Sequence, residues 1–443
     1  MVSAGTEEPI ITVGVADRQP EAKGRFNGPY VIEGTRPISG PFHARAAASG
    51  IKLFNKQGEL VADSSRVRLT AREASTFTLS DVTIGIRFHW ERKEDQAFQG
   101  NLVLESRGDG TMAVINEIPV EDYLVSVISS EMSGRAPFEF LKAHAIMSRS
   151  WLMAALGQKG APRAATRSAE GAGELVRWYN REDHDIFDVC ADDHCQRYQG
   201  ITKIISGDAA RAVRETRGLV LFHGDIVCDA RYYKACGGRT ENYETAWEDV
   251  RIPYLVSVAD GHDTGGPILS EEDAARWIFS SPDAYCNTND TALLAGILPG
   301  FDQETVNFFR WKVEYSRDEL EEIIRQRSGV DLGNLIDLMP LERGPSGRIF
   351  RLRITGTKGS VIIGKELEIR RWLSTSHLYS SAFVVSTVGP PGGLPERFIL
   401  NGAGWGHGVG LCQIGAAVMA TKGFTAPQIL EHYFTGARIE RMY

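Results

Sequence analysis

An α+β fold with mixed, largely antiparallel sheets is predicted for this chain by three observations. Segments of strand character crowd residues 8–130, helices with recognisable first turns come later, and strand and helix never alternate regularly enough for a doubly wound sheet or a barrel. In chain order, Ile10-Ile-Thr-Val-Gly-Val, Ile51-Lys-Leu-Phe, Val67-Arg-Leu-Thr, Phe77-Thr-Leu, Gly100-Asn-Leu-Val-Leu-Glu and Met112-Ala-Val-Ile-Asn read as strands parted by turn residues. A helix follows from Pro137, a good first-turn residue, with Leu141, Ala145, Ser148, Leu152 and Ala155 as one small apolar stripe at helical spacing. Glu131 falls between the apolar segment 123–128 and this helix. Residues 158–180, rich in Ala, Gly and Arg, read as a surface loop. Strands are expected at 219–223 and 226–233, and Ser270-Glu-Glu-Asp and Ser316-Arg-Asp-Glu announce helices by their capping boxes. Strands return at 349–355 and 360–363 with Gly356-Thr-Lys-Gly359 as a hairpin turn, and helices near 411–422 and 426–434 close the chain.

Composition narrows the function classes. With 42% hydrophobic and 24% charged residues over 443 positions, the chain has the balance of a globular protein with a sizeable core, which excludes disorder as its main state. A net charge of −8 and no dense basic cluster argue against a nucleic-acid partner. No apolar run is long enough to span a bilayer as a helix, so no transmembrane segment is expected, and the first residues lack the basic and apolar regions of a signal peptide. The six cysteines are too few and too scattered for a disulfide scaffold.

Two stretches carry chemistry by residue type alone. Asn401-Gly-Ala-Gly-Trp-Gly-His-Gly-Val-Gly-Leu-Cys-Gln413 places five glycines around Trp405 and His407, a loop built to bring backbone close to something. It has no Gly-Lys-Ser/Thr end and no dinucleotide fingerprint, which argues against phosphate binding. Trp405 offers a face for stacking and Gln413 paired amide hydrogen bonds to a ligand. The second stretch sets His184, Cys190, His194 and Cys195 within twelve positions, the donor types of a tetrahedral Zn2+ site, although the adjacent His194-Cys195 pair departs from finger spacing. A Cys190–Cys195 disulfide is the other chemistry open to it. Cys236 or Cys412 with His407 could form a thiol nucleophile, but no local cysteine-peptidase signature accompanies them.

The glycine-rich run resembles the C-terminal signature of the SpoIID/LytB family, which comprises stage II sporulation protein D and the amidase enhancer. Three further blocks in family order resemble it: Asn116-Glu-Ile-Pro-Val-Glu-Asp-Tyr-Leu-Val-Ser-Val-Ile-Ser-Ser-Glu-Met132 with Phe138-Glu-Phe-Leu-Lys-Ala-His-Ala-Ile-Met-Ser-Arg-Ser150; Tyr232-Tyr-Lys-Ala-Cys-Gly-Gly-Arg-Thr-Glu241; and Ser346-Gly-Arg348 through Arg371-Trp-Leu373. The resemblance implies one composite catalytic body over 8–440, with 35–95 as a strand-rich insertion or small subdomain. It implies lytic transglycosylase activity on peptidoglycan glycan strands, cutting the MurNAc–GlcNAc bond and leaving a 1,6-anhydroMurNAc end. It places the family's catalytic glutamate at Glu131, with Ser133 where the family usually has proline. Burial beside apolar groups there could raise a carboxyl pKa, and a single such group suffices as general acid and then base. A hydrolase would need a second carboxylate, and Glu121, Asp122 and Glu139 read as solvated or capping charges. The resemblance adds Tyr232, Tyr233, Gly237, Gly238, Trp405, His407 and Gln413 as substrate-binding residues. It also makes zinc on His184, Cys190, His194 and Cys195 a structural ion, since four protein ligands leave no open position. Cys412 stands where relatives often carry serine. Glycan strands stripped of stem peptides and a cell-wall amidase are the implied partners, and the cell envelope the implied location, with the targeting segment removed from this sequence. The alternative the family name covers is a non-catalytic amidase enhancer or wall-binding protein.

Overall fold

In a computed structural model, the described residues are 7–86, 91–159, 168–171, 173–179, 184–262, 266–300, 303 and 307–443. The fold is α+β, as expected. The chain forms two compact units, each assembled from separated segments: Met1–Gly160 with Arg181–Val220 and Glu440–Tyr443, and Ala161–Asn180 with Leu221–Ile439. The sequence had suggested one composite body; distant segments do come together, but within two units. None of the described helices is long and apolar enough to cross a membrane.

The first unit is organised by an 11-stranded sheet. Its order runs Val189–Cys190, Ile10–Gln19, Met112–Pro119, Asn101–Ser106, Arg66–Ala71, Glu21–Ile32, Ile38–Ala47, Gly50–Phe54 and Leu60–Ser64, with Thr76–Ile84 joined to Glu21–Ile32 and Arg92–Gln99. The strand-rich character expected for 35–95 is present, and its strands belong to the same sheet as Ile10–Gln19. Alternation buries one face: Phe77 and Leu79 are inside, Asp81 takes a left-handed φ of 56° at an irregularity in the ladder, and Val82 and Ile84 resume the inward positions. Stacked Phe26–Phe42 and Phe77–Phe98 pairs fill that face.

Three helices pack together in this unit: Val120–Glu131, Phe138–Gly157 and Gly207–Glu215. The first was read from sequence only as an apolar segment ahead of a helix; Pro119 in extended conformation starts it, and Glu131 is its last residue. The second carries the expected stripe, with Leu141, Ala145, Ser148, Leu152 and Ala155 all buried, but it is enclosed on further sides, so Arg149 is buried too. Arg149 Nε and Nη2 donate to the two oxygens of Glu121 at 3.0 and 2.6 Å, and Nη1 donates to the Leu219 carbonyl at 2.9 Å. Glu121 also accepts from the Gly218 amide and the Tyr443 hydroxyl. It is therefore the partner of a buried guanidinium, not the solvated or capping charge expected.

The second unit holds a five-stranded sheet in the order Ser168–Gly171, Glu174–Arg177, Gly359–Gly364, Ile349–Gly356, Leu335–Arg343, and a three-stranded sheet of Arg310–Ser316, Arg397–Ala403 and Phe383–Val388. The expected hairpin at 356–359 is present, with Gly356 paired to Gly359. Ser270 and Ser316 cap helices Glu271–Ile278 and Arg317–Ser328, accepting from the amides of Asp273 and Glu319. The 158–180 segment differs from its reading as a loop. Leu175 and its neighbours pair in parallel with Ile363, adding a strand to the sheet, while residues 160–167, 172 and 180 lie outside the described residues.

Candidate functional site

Glu131 lies in the first unit, where the helix Val120–Glu131 ends and the chain passes at Met132 to extended backbone. The residue is 9% exposed. Its Oε1 accepts the backbone N–H of Arg197 at 2.9 Å. The residue before that amide is fixed to the helices: Gln196 Nε2 donates to the Ser148 carbonyl at 3.3 Å, and the Tyr123 hydroxyl donates to Gln196 Oε1 at 3.3 Å. Tyr198 donates to Asn116 Oδ1 at 2.5 Å. The catalytic candidate thus faces a strapped segment, 196–198, that follows directly on the His/Cys stretch.

That stretch converges. The donor atoms of His184, Cys190, His194 and Cys195 all lie within 4.8 Å of one another. His184 Nε2 is 3.4 Å from Cys195 Sγ, His194 Nδ1 is 3.5 Å from Cys195 Sγ, and it is 3.8 Å from Cys190 Sγ. Cys190 is fixed because Val189–Cys190 forms a parallel pair with Val13 and Gly14 of the large sheet. A glycine is required at Gly14, since a Cβ there would come within 2.6 Å of the Phe187 ring, and Phe187 packs against His184 at 4.5 Å between centroids. Hydrogen bonding with Cys195, and then with His184 and His194, holds the Cys190 thiol far below the ordinary thiol range despite burial. Two imidazoles and two sulfurs at mutual contact match the donor set of a closed tetrahedral site. All six cysteines are free thiols in the structure.

The second unit brings the third and last sequence blocks together. Tyr232 and Tyr233 pair in parallel with Leu411 and Cys412, and Ala235 bridges to Trp405. Trp405 is half-buried between Tyr379, at 4.4 Å, and Phe308, at 5.1 Å. His407 packs between Tyr233 and Trp247, and its Nδ1 accepts the Val409 amide at 3.1 Å, so that nitrogen carries no proton. Burial, followed by the charges of Arg231 and Arg348, holds His407 well below the usual imidazole range; it is neutral. Three of the expected glycan-binding residues have structural placements instead. Gln413 is 3% exposed in the first turn of helix Gln413–Thr421, and Gly237 and Gly238 are buried with φ of 80° and 111° where a Cβ would strike Gly404 or Trp277. Tyr233 is buried as well, which leaves Tyr232, Trp405 and His407 as the partly accessible members of that set.

Sequence reading missed what holds the glycine-rich loop. Arg348, fully buried, donates to the Gly406 carbonyl from Nε and Nη2 at 3.2 and 3.1 Å, and to the Cys236 carbonyl at 3.3 Å. Gly408, at φ 85°, must be glycine: a Cβ would lie 2.5 Å from the guanidinium carbon. Glu241, also fully buried, accepts from Ser346 Oγ at 2.6 Å and from the Asn242 amide at 2.7 Å, while its own N–H donates to the Gly408 carbonyl at 2.7 Å. Burial pushes the Glu241 carboxyl up, opposed by the Ser346 and Asn242 hydrogen bonds and by Arg348. Both residues stood inside the quoted blocks, but nothing in their spacing pointed to each other.

These features define an α+β protein with a nearly buried carboxylate strapped by the segment that leaves a His2Cys2 cluster, and with a glycine-rich loop clamped by a buried arginine. Comparison with known proteins places it further. The family described as stage II sporulation protein matches residues 108–223, and a domain of unknown function (DUF8618) matches residues 241–410. Stage II sporulation protein D of Bacillus amyloliquefaciens is 24% identical over 326 residues, covering 73% of this chain and 75% of that protein. Its counterpart from Bacillus subtilis (strain 168) is 24% identical over 331 residues, with the same coverages of 73% and 75%. The amidase enhancer of Bacillus subtilis (strain 168) is 23% identical over 249 residues, 52% of this chain but 32% of that protein. The chain is similar to stage II sporulation protein D along most of its length and to the amidase enhancer over about half of it.

Proposed function

We infer that this protein acts in the cell envelope and cleaves peptidoglycan glycan strands as a lytic transglycosylase, with Glu131 as the single general acid and base. The observation that carries the reading is Glu131 itself: a residue at a helix end, 9% exposed, whose carboxyl accepts the Arg197 amide. In its protonated form the carboxyl gives its proton to the glycosidic oxygen as the C1–O4 bond breaks. As carboxylate it then takes the proton of the C6 hydroxyl as O6 closes on C1, giving the 1,6-anhydro ring without added water. A hydrolytic partner would have to be a second carboxylate, and Glu121, on the same helix, is committed to Arg149.

His184, Cys190, His194 and Cys195 would hold a zinc ion, whose contribution is to tie the 184–195 stretch into one rigid piece. The donor set and its convergence support this assignment. What this chain's residues then do is position: Cys195 precedes Arg197 by two residues, and Arg197 is further tied to Asp193 by Nη2–Oδ1 at 2.7 Å. Substrate stripped of stem peptides fits the resemblance to stage II sporulation protein D. In the second unit, half-buried Tyr232 and Trp405 support sugar stacking.

The similarity to an amidase enhancer favours a second reading, in which the chain binds wall and stimulates an amidase without cutting glycan. Mass spectrometry of glycan strands incubated with the purified protein separates the two. Anhydro-muramyl ends are expected from the first reading; their absence, with faster stem-peptide release by an added amidase, establishes the second.

A further inference from the structure

The second unit contains a quartet of potential metal donors that lie far apart along the chain. Cys236, Asp260, Cys286 and Cys412 come from four separate segments, and their ligand atoms all lie within 4.8 Å of one another. All are enclosed: Cys236 and Cys286 are 2% exposed, Asp260 and Cys412 fully buried. Two of the three sulfurs accept backbone amides. Cys236 Sγ accepts the Gly238 amide at 3.2 Å, and Cys412 Sγ accepts the Cys236 amide at 3.3 Å and the Gly415 amide at 3.4 Å. Cys412 also caps the N-terminus of helix Gln413–Thr421, whose dipole favours negative charge. Cys236 and Cys286 sulfurs are 3.3 Å apart.

Asp260 is the second part of the argument. Its oxygens accept from the Cys286 amide at 2.8 Å and the Tyr433 hydroxyl at 2.5 Å, both neutral donors. The neighbouring guanidinium, Arg310, is committed instead to the carbonyls of Gly237, Trp277, Ile278 and Phe309. A carboxylate taken fully out of water without a cation is costly, and three thiols in contact with it supply none. The backbone is cleared for this approach: a Cβ on Gly415 would lie 2.4 Å from both Asp260 Oδ1 and the Tyr433 hydroxyl.

We propose that Cys236, Asp260, Cys286 and Cys412 form a second, closed metal site that takes a thiophilic divalent cation of zinc type and ties four distant segments of the second unit together. Three sulfurs and one oxygen are a tetrahedral zinc donor set, in which sulfurs at Zn–S of ~2.3 Å stand about 3.8 Å apart, between the 3.3 Å of the Cys236–Cys286 pair and the 4.8 Å that bounds the quartet. The formal charge, three thiolates and one carboxylate around a dication, equals that of a four-cysteine site, and the amide–sulfur hydrogen bonds disperse it. A Cys236–Cys286 disulfide is the competing chemistry; it would employ two of the sulfurs and leave Asp260 without a cation.

The test uses the full chain, purified under reducing conditions, supplied with zinc salt alone and dialysed. The variant Cys190→Ser/Cys195→Ser, which dismantles the first cluster, should keep about one zinc per chain, and Cys286→Ser should hold one metal ion fewer than the wild type. Equal counts in Cys286→Ser and the wild type overturn the site, as does protein isolated without reductant that carries no metal here and a mass two hydrogens light that reduction restores. Should Cys286→Ser fail to fold, cobalt(II) decides. A thiolate-to-cobalt absorption band should persist in the reduced Cys190→Ser/Cys195→Ser protein, and its absence overturns the proposal.

Discussion

The Glu131 carboxylate is held by the backbone amide of Arg197, at 2.9 Å, two residues beyond Cys195. A side-chain partner could be exchanged by a single substitution; an amide is positioned by the whole segment that carries it. That segment runs from the sheet, where Cys190 pairs beside Gly14, through the His/Cys cluster to Gln196, which is tied to Ser148 on the central helix. The proposed ion would therefore act on the Glu131 carboxyl through the backbone.

Metal removal should accordingly lower activity without any ligand touching substrate. Chelation, or Cys190→Ser, is expected to reduce glycan cleavage by at least tenfold while circular dichroism retains the helices. Because thiolate ligands must be deprotonated, acidification should release the ion before the fold melts. Undiminished activity in metal-free protein would remove the ion from the account.

Arg149→Ala should destabilise the protein by about 3–5 kcal/mol, the cost of leaving one charge of a buried pair unpartnered. Denaturant unfolding measures it. Arg149→Lys should recover only part of the loss, since one ammonium cannot reproduce two parallel donors to Glu121 and a third to Leu219.

Trp405→Ala should cost about 2 kcal/mol, below the range for a fully buried aromatic, because the ring is only partly buried, although it packs tilted against Tyr379. Glycan binding should weaken more than this. Calorimetric titration at a temperature where both proteins are folded checks it, and unchanged affinity would confine the residue to packing.

His407 gives the second unit an acid-side weakness. Its folded pKa lies below the unfolded value of ~6.5, so the unfolded state binds the proton more readily. The stability contributed by keeping the ring neutral is present above ~6.5 and lost as the pH falls toward the folded pKa, at up to about 1.4 kcal/mol per pH unit. His407→Asn, which keeps an acceptor for the Val409 amide, should flatten that slope between about pH 6.5 and 5 in thermal melts. An unaltered slope would assign the effect to other groups.

Much of the framework was legible because it depends on short-range signals. Ser270 and Ser316 cap helices as their spacing indicates, and the 356–359 turn closes its hairpin. The His/Cys quartet was legible because twelve positions contain it. Helix Val120–Glu131 was not, since Val120, Val127 and Ile128 favour strand locally and enclosure by the neighbouring helices overrides that preference. Nor was the Arg348 clamp on Gly406, or the convergence of Cys236, Asp260, Cys286 and Cys412. These are contacts between segments far apart in the chain, and only the folded topology selects them.

The central claim is that Glu131 is the proton donor and acceptor in glycan cleavage. Glu131→Gln preserves shape and can still accept the Arg197 amide through its carbonyl oxygen, so folding and metal content should match the wild type. Its release of anhydro-muramyl products from peptide-free glycan strands, followed by mass spectrometry, should fall by about 10²–10⁴-fold. A correctly folded Glu131→Gln protein that releases anhydro-muramyl ends at the wild-type rate would contradict the account.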